Sequence, residues 1–169
     1  MEKLYSYVGP RNLLSLSIPA DLLRVVSVAS LLCWLQKKTS ASEPCTATYI
    51  VSRDRELKIA ERQTEHVACT QGGPVLAAGE MTLQWFKNQV QVLGLSNLST
   101  RFCPEPACLQ VGLTLLENLK LDLTGCTVYA FDFRLCPECQ TINVVKNQEF
   151  YCSVCDAALP LHWNFEHPQ

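Results

Sequence analysis

A chain of 169 residues, 48% of them hydrophobic, is long enough to bury a substantial core, and its charged share of 18% falls below the usual quarter. A net charge of −2 excludes a polyelectrolyte partner held by bulk charge alone. Ten cysteines are compatible with a secreted disulfide scaffold, a metal protein or a set of buried thiols, and their spacing discriminates among these.

The start, Met1-Glu2-Lys3, lacks the basic region and clean apolar stretch of a secretion signal. Residues 18–36 are predicted as a helix. Ser17 stands as N-cap, Pro19 lies in the first turn, Asp21 complements the positive end of the dipole and Lys37-Lys38 the negative end. Asp21 and Arg24 interrupt its apolar run and leave eleven uncharged residues, 25–35, too few to span a bilayer. The helix is more apolar than a surface helix needs, so cover on a second side is expected, from the sheet or from another copy in a homo-oligomer. Residues 39–44 read as a short polar link.

The middle of the chain reads as β. Strands at 46–51 and 57–60 flank the charged turn Arg53-Asp54-Arg55-Glu56. A third strand is expected at His66-Val67-Ala68-Cys69, before the break at Gly72-Gly73-Pro74. A second hairpin joins 81–86 to 90–95 through Lys87-Asn88-Gln89. The prolines of Cys103-Pro104-Glu105-Pro106 end this region, because proline is excluded from central strands. Residues 107–119 have helical spacing at Leu109, Leu113, Leu116 and Leu119. A last strand, 127–133, delivers the chain to the cysteine-rich end. The expected fold is α+β, an antiparallel sheet of about five or six strands with two packed helices. The first unit covers 1–134, a C-terminal module 135–160 and a tail 161–169.

That module holds Cys136-Pro137-Glu138-Cys139 and, after twelve residues, Cys152-Ser153-Val154-Cys155. Two cysteines separated by two residues point into one tight turn, so each pair supplies two ligands, and the β-branched run 141–145, a turn at Asn147-Gln148 and Phe150-Tyr151 form a hairpin that folds one knuckle onto the other. Over about 135–160 the pattern resembles the zinc-ribbon family. That resemblance implies Zn2+ in a closed structural site with Cys136, Cys139, Cys152 and Cys155 as metal ligands. A rubredoxin-like iron site shares the ligand set, but the glycine usual after its second knuckle cysteine is replaced by Gln140 and Asp156. The other six cysteines sit mostly in apolar surroundings, where a free thiol behaves as a small hydrophobe, and a reducing cytoplasm suits them.

Other candidates are more diffuse. His66, Cys69, Cys103 and Cys108 offer a second metal site of the form HxxC…CxxxxC, although two prolines make the CxxxxC a poor knuckle. An enzyme would use His66 as base, Cys69 as nucleophile and Glu80 as acid. On a strand, residues three apart point to opposite faces, which argues against direct pairing of His66 with Cys69. The stretches Gly73-Pro74-Val75-Leu76-Ala77-Ala78-Gly79-Glu80-Met81 and Ser96-Asn97-Leu98-Ser99-Thr100 resemble a β-module of uncharacterised bacterial proteins, some associated with conflict systems, over about 46–106. That resemblance carries no activity onto named residues, and Asn97, Ser99 and Thr100 have an ordinary role in local turns.

A nucleic-acid-binding ribbon is the remaining alternative. From residue 134 onward Arg134 and Lys146 face Glu138, Glu149, Asp156 and Glu166, the opposite of the balance a phosphate surface needs. Tyr151, Trp163 and Phe165 could stack on bases, but packing of the ribbon onto the rest of the protein is the simpler role. The sequence therefore favours a cytoplasmic, non-enzymatic protein with a structural zinc site and a protein partner, without a membrane span.

Overall fold

The structure, a computed structural model, describes residues 2–165; Met1 and residues 166–169, with the acidic Glu166, lie outside the described residues. A six-stranded sheet carries the fold in the order β1-β3-β2-β4-β5-β6, where β1 is Leu23–Arg24, β2 Cys45–Ser52, β3 Leu57–Glu61, β4 Val75–Phe86, β5 Gln89–Ser96 and β6 Thr127–Tyr129. Four of its five pairings are antiparallel; β5 and β6 run parallel, because α3 (Cys108–Asn118) is the crossover between them. A second sheet pairs β7 (Asp132–Leu135) with β8 (Ile142–Val145). The α+β class and the mainly antiparallel sheet expected from the sequence are both present. Among the described residues, three α-helices and a short 3₁₀ helix at Arg11–Ser15 accompany them, where two helices were expected.

The first helix is shorter than its hydrophobicity predicts. It is α1, Val28–Gln36, and it begins at Ser27 rather than Ser17. The Ser27 side chain accepts the Ser30 N–H at 3.1 Å while Ser30 Oγ accepts the Ser27 N–H at 3.3 Å, a reciprocal cap stronger than the one offered by Ser17. Leu23 and Arg24 are instead claimed by the edge of β3. Asp21 caps no helix; its carboxylate accepts the Glu61 N–H at 2.9 Å and pairs with Lys38 at 3.2 Å. Leu31 and Leu35 are fully buried, and Trp34 is anchored by Nε1 donating to the Asp21 carbonyl at 2.8 Å.

The expected strand at 66–69 is a helix, α2 (His66–Thr70), terminated by Gln71 in the left-handed region at φ 53°. The sheet has no place for that strand: β2 already lies between β3 and β4, and α2 packs across β2 instead. The expected strand at 127–133 is divided. Thr127–Tyr129 closes the main sheet and Asp132–Leu135 opens the second one, with the break at Ala130-Phe131 held by Asn97. The Asn97 amide donates to the Phe131 and Pro104 carbonyls, each at 2.8 Å, and its oxygen accepts the Phe131 N–H at 2.7 Å. Asn97, expected in a purely local turn role, is thus a fully buried tie between three distant segments.

Beside it, β4 and the end of β5 touch through backbone. A Cβ on Gly79 would come within 1.9 Å of the Ser96 carbonyl oxygen, so only glycine fits. The fully buried Tyr49 hydroxyl donates to that same carbonyl at 2.9 Å. A second apolar cluster of Cys103, Phe133 and Phe165, flanked by Trp163, Leu135 and Ile142, packs the small sheet onto the large one.

Candidate metal centre

The β7–β8 pairing positions the first knuckle. Register partners Leu135 and Ile142 lie just before Cys136 and just beyond the loop that holds Cys139, so the two strands pinch that loop shut. The expected ribbon hairpin from 141–145 to 150–151 is only partly formed: β8 pairs with β7, and the return is limited to a Lys146–Glu149 bridge. The turn at Asn147-Gln148 is present, with φ of 53° and 59°, two consecutive left-handed residues as in a type I′ turn. Tyr151 then bridges to Ala158, and Leu159 donates its N–H to the Phe150 carbonyl at 2.8 Å.

The two knuckles repeat one backbone geometry. The Gln140 N–H donates to the Cys136 carbonyl and the Asp156 N–H to the Cys152 carbonyl, both at 3.0 Å. The Cys136 N–H donates to Thr141 at 2.9 Å and the Cys152 N–H to Ala157 at 2.8 Å. Gln140 and Asp156, each the residue after the second cysteine of its pair, both occupy the left-handed region, at φ 59° and 58°. Each knuckle therefore forms with a non-glycine residue there, at the strain that a side chain brings.

All four Sγ atoms lie within 4.8 Å of one another. Cys136 to Cys155 is 3.6 Å and Cys139 to Cys152 is 3.5 Å, too long for disulfides. Four sulfurs about 2.3 Å from one ion at tetrahedral angles would stand about 3.8 Å apart, so this donor set fits a metal ion in its centre. Cys136 and Cys152 are buried, whereas Cys139 and Cys155 reach the surface. Thr141, with its hydroxyl 3.3 Å from Cys139 Sγ, holds that thiol below its ordinary range. The Cys155 and Val154 backbone N–H groups, helped by the Asn143 amide, bring Cys152 down to about 6. The thiolate, the metal-binding form, is thus favoured at Cys139 and Cys152, whereas Cys155 is pushed up to about 12, where the hydrogen bond from the Ala157 backbone is outweighed by the crowding of the Cys139, Cys136 and Cys152 sulfurs.

Two residues around this site carry little signal in the sequence. Arg134 was available there only as a positive charge beside the ribbon. It is 7% exposed, and its guanidinium donates to the carbonyls of Phe133 at 2.7 Å, Pro160 at 3.0 Å and Leu161 at 2.8 Å. Asn143 is 4% exposed on β8 and bonds to the second knuckle; its one hint is an amide inside the β-branched run 141–145. Beyond the ribbon, Asn164 holds both the N–H and the carbonyl of Leu135, at 2.9 and 2.8 Å. Trp163 donates to the Cys103 carbonyl at 2.7 Å and packs edge-on against Tyr5.

The remaining candidates do not converge. Among the described residues, the four ribbon cysteines are the only group of three or more His, Cys, Asp or Glu side chains close enough to hold an ion. His66, Cys69, Cys103 and Cys108 therefore form no second site there. Burial pushes each of those three thiols up to about 12, the reverse of nucleophile activation. The His66 ring is committed through Nε2 to the Gly79 carbonyl at 2.9 Å, and burial lowers its pKa. Glu80 is paired with Arg62 at 3.0 Å. The objection that His66 and Cys69 point to opposite strand faces lapses, since both lie on α2, but neither is free for chemistry. On the ribbon, Arg134 is spent on carbonyls, leaving Lys146 exposed among exposed Glu138, Glu149 and Asp156. Tyr151 is 69% exposed, whereas Phe165 is buried and Trp163 half-buried in the docking cluster.

No protein-family model, curated protein or solved structure matches this chain. Among the described residues, no helix is long and apolar enough to cross a membrane.

Proposed function

We propose that Cys136, Cys139, Cys152 and Cys155 bind one Zn2+ as a closed structural site, and that the zinc-braced chain is a cytoplasmic, non-enzymatic protein-binding module. An adaptor, an accessory subunit or an inhibitor in a bacterial conflict system are the forms this module would take. The observation that carries the reading is the four-sulfur cluster within 4.8 Å. Four protein thiolates fill a tetrahedral ion, leaving no position for water or substrate, so the metal braces and does not react. Zinc is preferred to iron on the ribbon-like spacing of the two CxxC pairs. The protein-binding part draws support from the low charged share and from the commitment of His66, Cys69 and Glu80 to packing or pairing. A nucleic-acid reading is weakened by the burial of Arg134.

Elemental analysis of protein isolated from its native host tests the site. One zinc per chain is expected, and its loss in Cys136→Ser; iron, or no metal, would overturn the assignment. Affinity purification from the same host tests the module. A stoichiometric protein partner supports it, and recovery of nucleic acid alone defeats it.

A further inference from the structure

We infer that Asn143 is a positioning residue for the metal, holding a hydrogen bond on the Cys152 sulfur and locking the second knuckle to the first; this rests on the four-cysteine reading. The orientation of its amide is set by chemistry. The Ser153 backbone N–H can only donate, so the atom 2.9 Å away must be the Asn143 oxygen, which the Ser153 hydroxyl also reaches at 3.0 Å. The Nδ2 group therefore faces the other way, where it meets two acceptors, the Thr141 carbonyl at 2.9 Å and Cys152 Sγ at 3.5 Å.

The placement has a structural consequence. The Thr141 carbonyl is the group that closes the first knuckle, by accepting the Cys136 N–H at 2.9 Å. A single buried amide thus bonds the closing carbonyl of one knuckle and both the ligand sulfur and the following residue of the other. Its four contacts use both donors and both acceptor directions, so burial leaves nothing unsatisfied. With the sulfurs drawn together before the ion arrives, less ordering remains to be done on binding. An N–H donated to a metal-bound thiolate also withdraws electron density from the sulfur, which tunes the metal–sulfur bond and not only the fold.

The test uses the full chain with Zn2+ and Co2+ alone as probes. Zn2+ affinity is read by competition with a chelator, and the Co2+ complex by its sulfur-to-metal charge-transfer absorption. Asn143→Asp keeps the oxygen that receives the Ser153 N–H but sets a carboxylate oxygen against the sulfur. It is expected to bind Zn2+ about 10–100-fold more weakly and to move the Co2+ band to lower energy. Asn143→Ser, with a donor of shorter reach and no added charge, is expected between that variant and the unaltered chain. It also keeps the test decisive if the aspartate variant does not fold. Zn2+ binding by the unaltered chain with both folded variants within twofold of it, and an unmoved band, would overturn the role of Asn143 while leaving the four-cysteine site intact. No Zn2+ binding by the unaltered chain would overturn both.

Discussion

Gly79→Ala is the most informative single perturbation of the main sheet, because one added methyl group meets backbone on the neighbouring strand. The new Cβ would lie 1.9 Å from the Ser96 carbonyl oxygen, against 3.4 Å for ordinary contact. The strands would have to part by about 1.5 Å, and neither side offers a flexible side chain to absorb it. Movement on that scale breaks the 2.9 Å bond from the buried Tyr49 hydroxyl to Ser96, and it disturbs the His66 bond to the Gly79 carbonyl, also 2.9 Å. Overpacking costs about 1–3 kcal/mol, and a buried hydroxyl left without its acceptor adds about 1–3 kcal/mol. The variant is therefore expected to lose roughly 4 kcal/mol, which in a domain of this size lowers Tm by roughly 8–16 °C. Gly94→Ala is the control, since the nearest atom to its Cβ is at 3.5 Å, and a change below about 1 kcal/mol is expected there. Thermal and urea unfolding of both variants provide the measurement. Equal stability of Gly79→Ala and Gly94→Ala would refute the close approach of β4 and β5.

Three further outcomes are expected. Arg134→Met keeps the aliphatic stem but leaves the Pro160 and Leu161 carbonyls without donors, and should cost about 3 kcal/mol; unchanged stability by urea denaturation would contradict that role. The lowered pKa of His66 means that the unfolded chain binds its proton more readily than the native one, so stability should fall as pH drops below about 6.5. His66→Gln should remove that part of the slope between pH 7 and 5, and an unchanged slope would show that the ring is not buried neutral. In the zinc-loaded chain at pH 8, an alkylating reagent should modify the exposed Cys33 first and spare Cys69, Cys103 and Cys108 until unfolding. Mass-spectrometric detection of rapid native labelling at Cys69 would contradict its burial.

Local chemistry accounts for what could be read before the structure. A CxxC pair closes over four residues, so its spacing alone indicates a knuckle, and the Asn147-Gln148 turn and the strands at 46–51, 57–60, 81–86 and 90–95 follow from equally short patterns. The errors fall where distant partners compete. Ser17 was a fair cap by composition, but β3 takes Leu23 and Arg24, and Ser27 with Ser30 closes a better box. His66–Thr70 has strand-like residues without a vacant sheet position, so it coils over β2. The 127–133 run alternates continuously, yet Asn97 pins its middle and sends the two ends to different sheets.

The sequence by itself determined the α+β class, the two hairpins of the main sheet and the four clustered cysteines, because each depends on short patterns whose geometry the backbone imposes directly. Tertiary structure alone decided that Arg134 would be a buried clasp, that Asn143 would reach the Cys152 sulfur, and that His66, Cys69 and Glu80 would be otherwise engaged. Those roles depend on which carbonyls, thiols and strands meet once the chain has folded, and a polar side chain carries no local mark of the partner that will satisfy it.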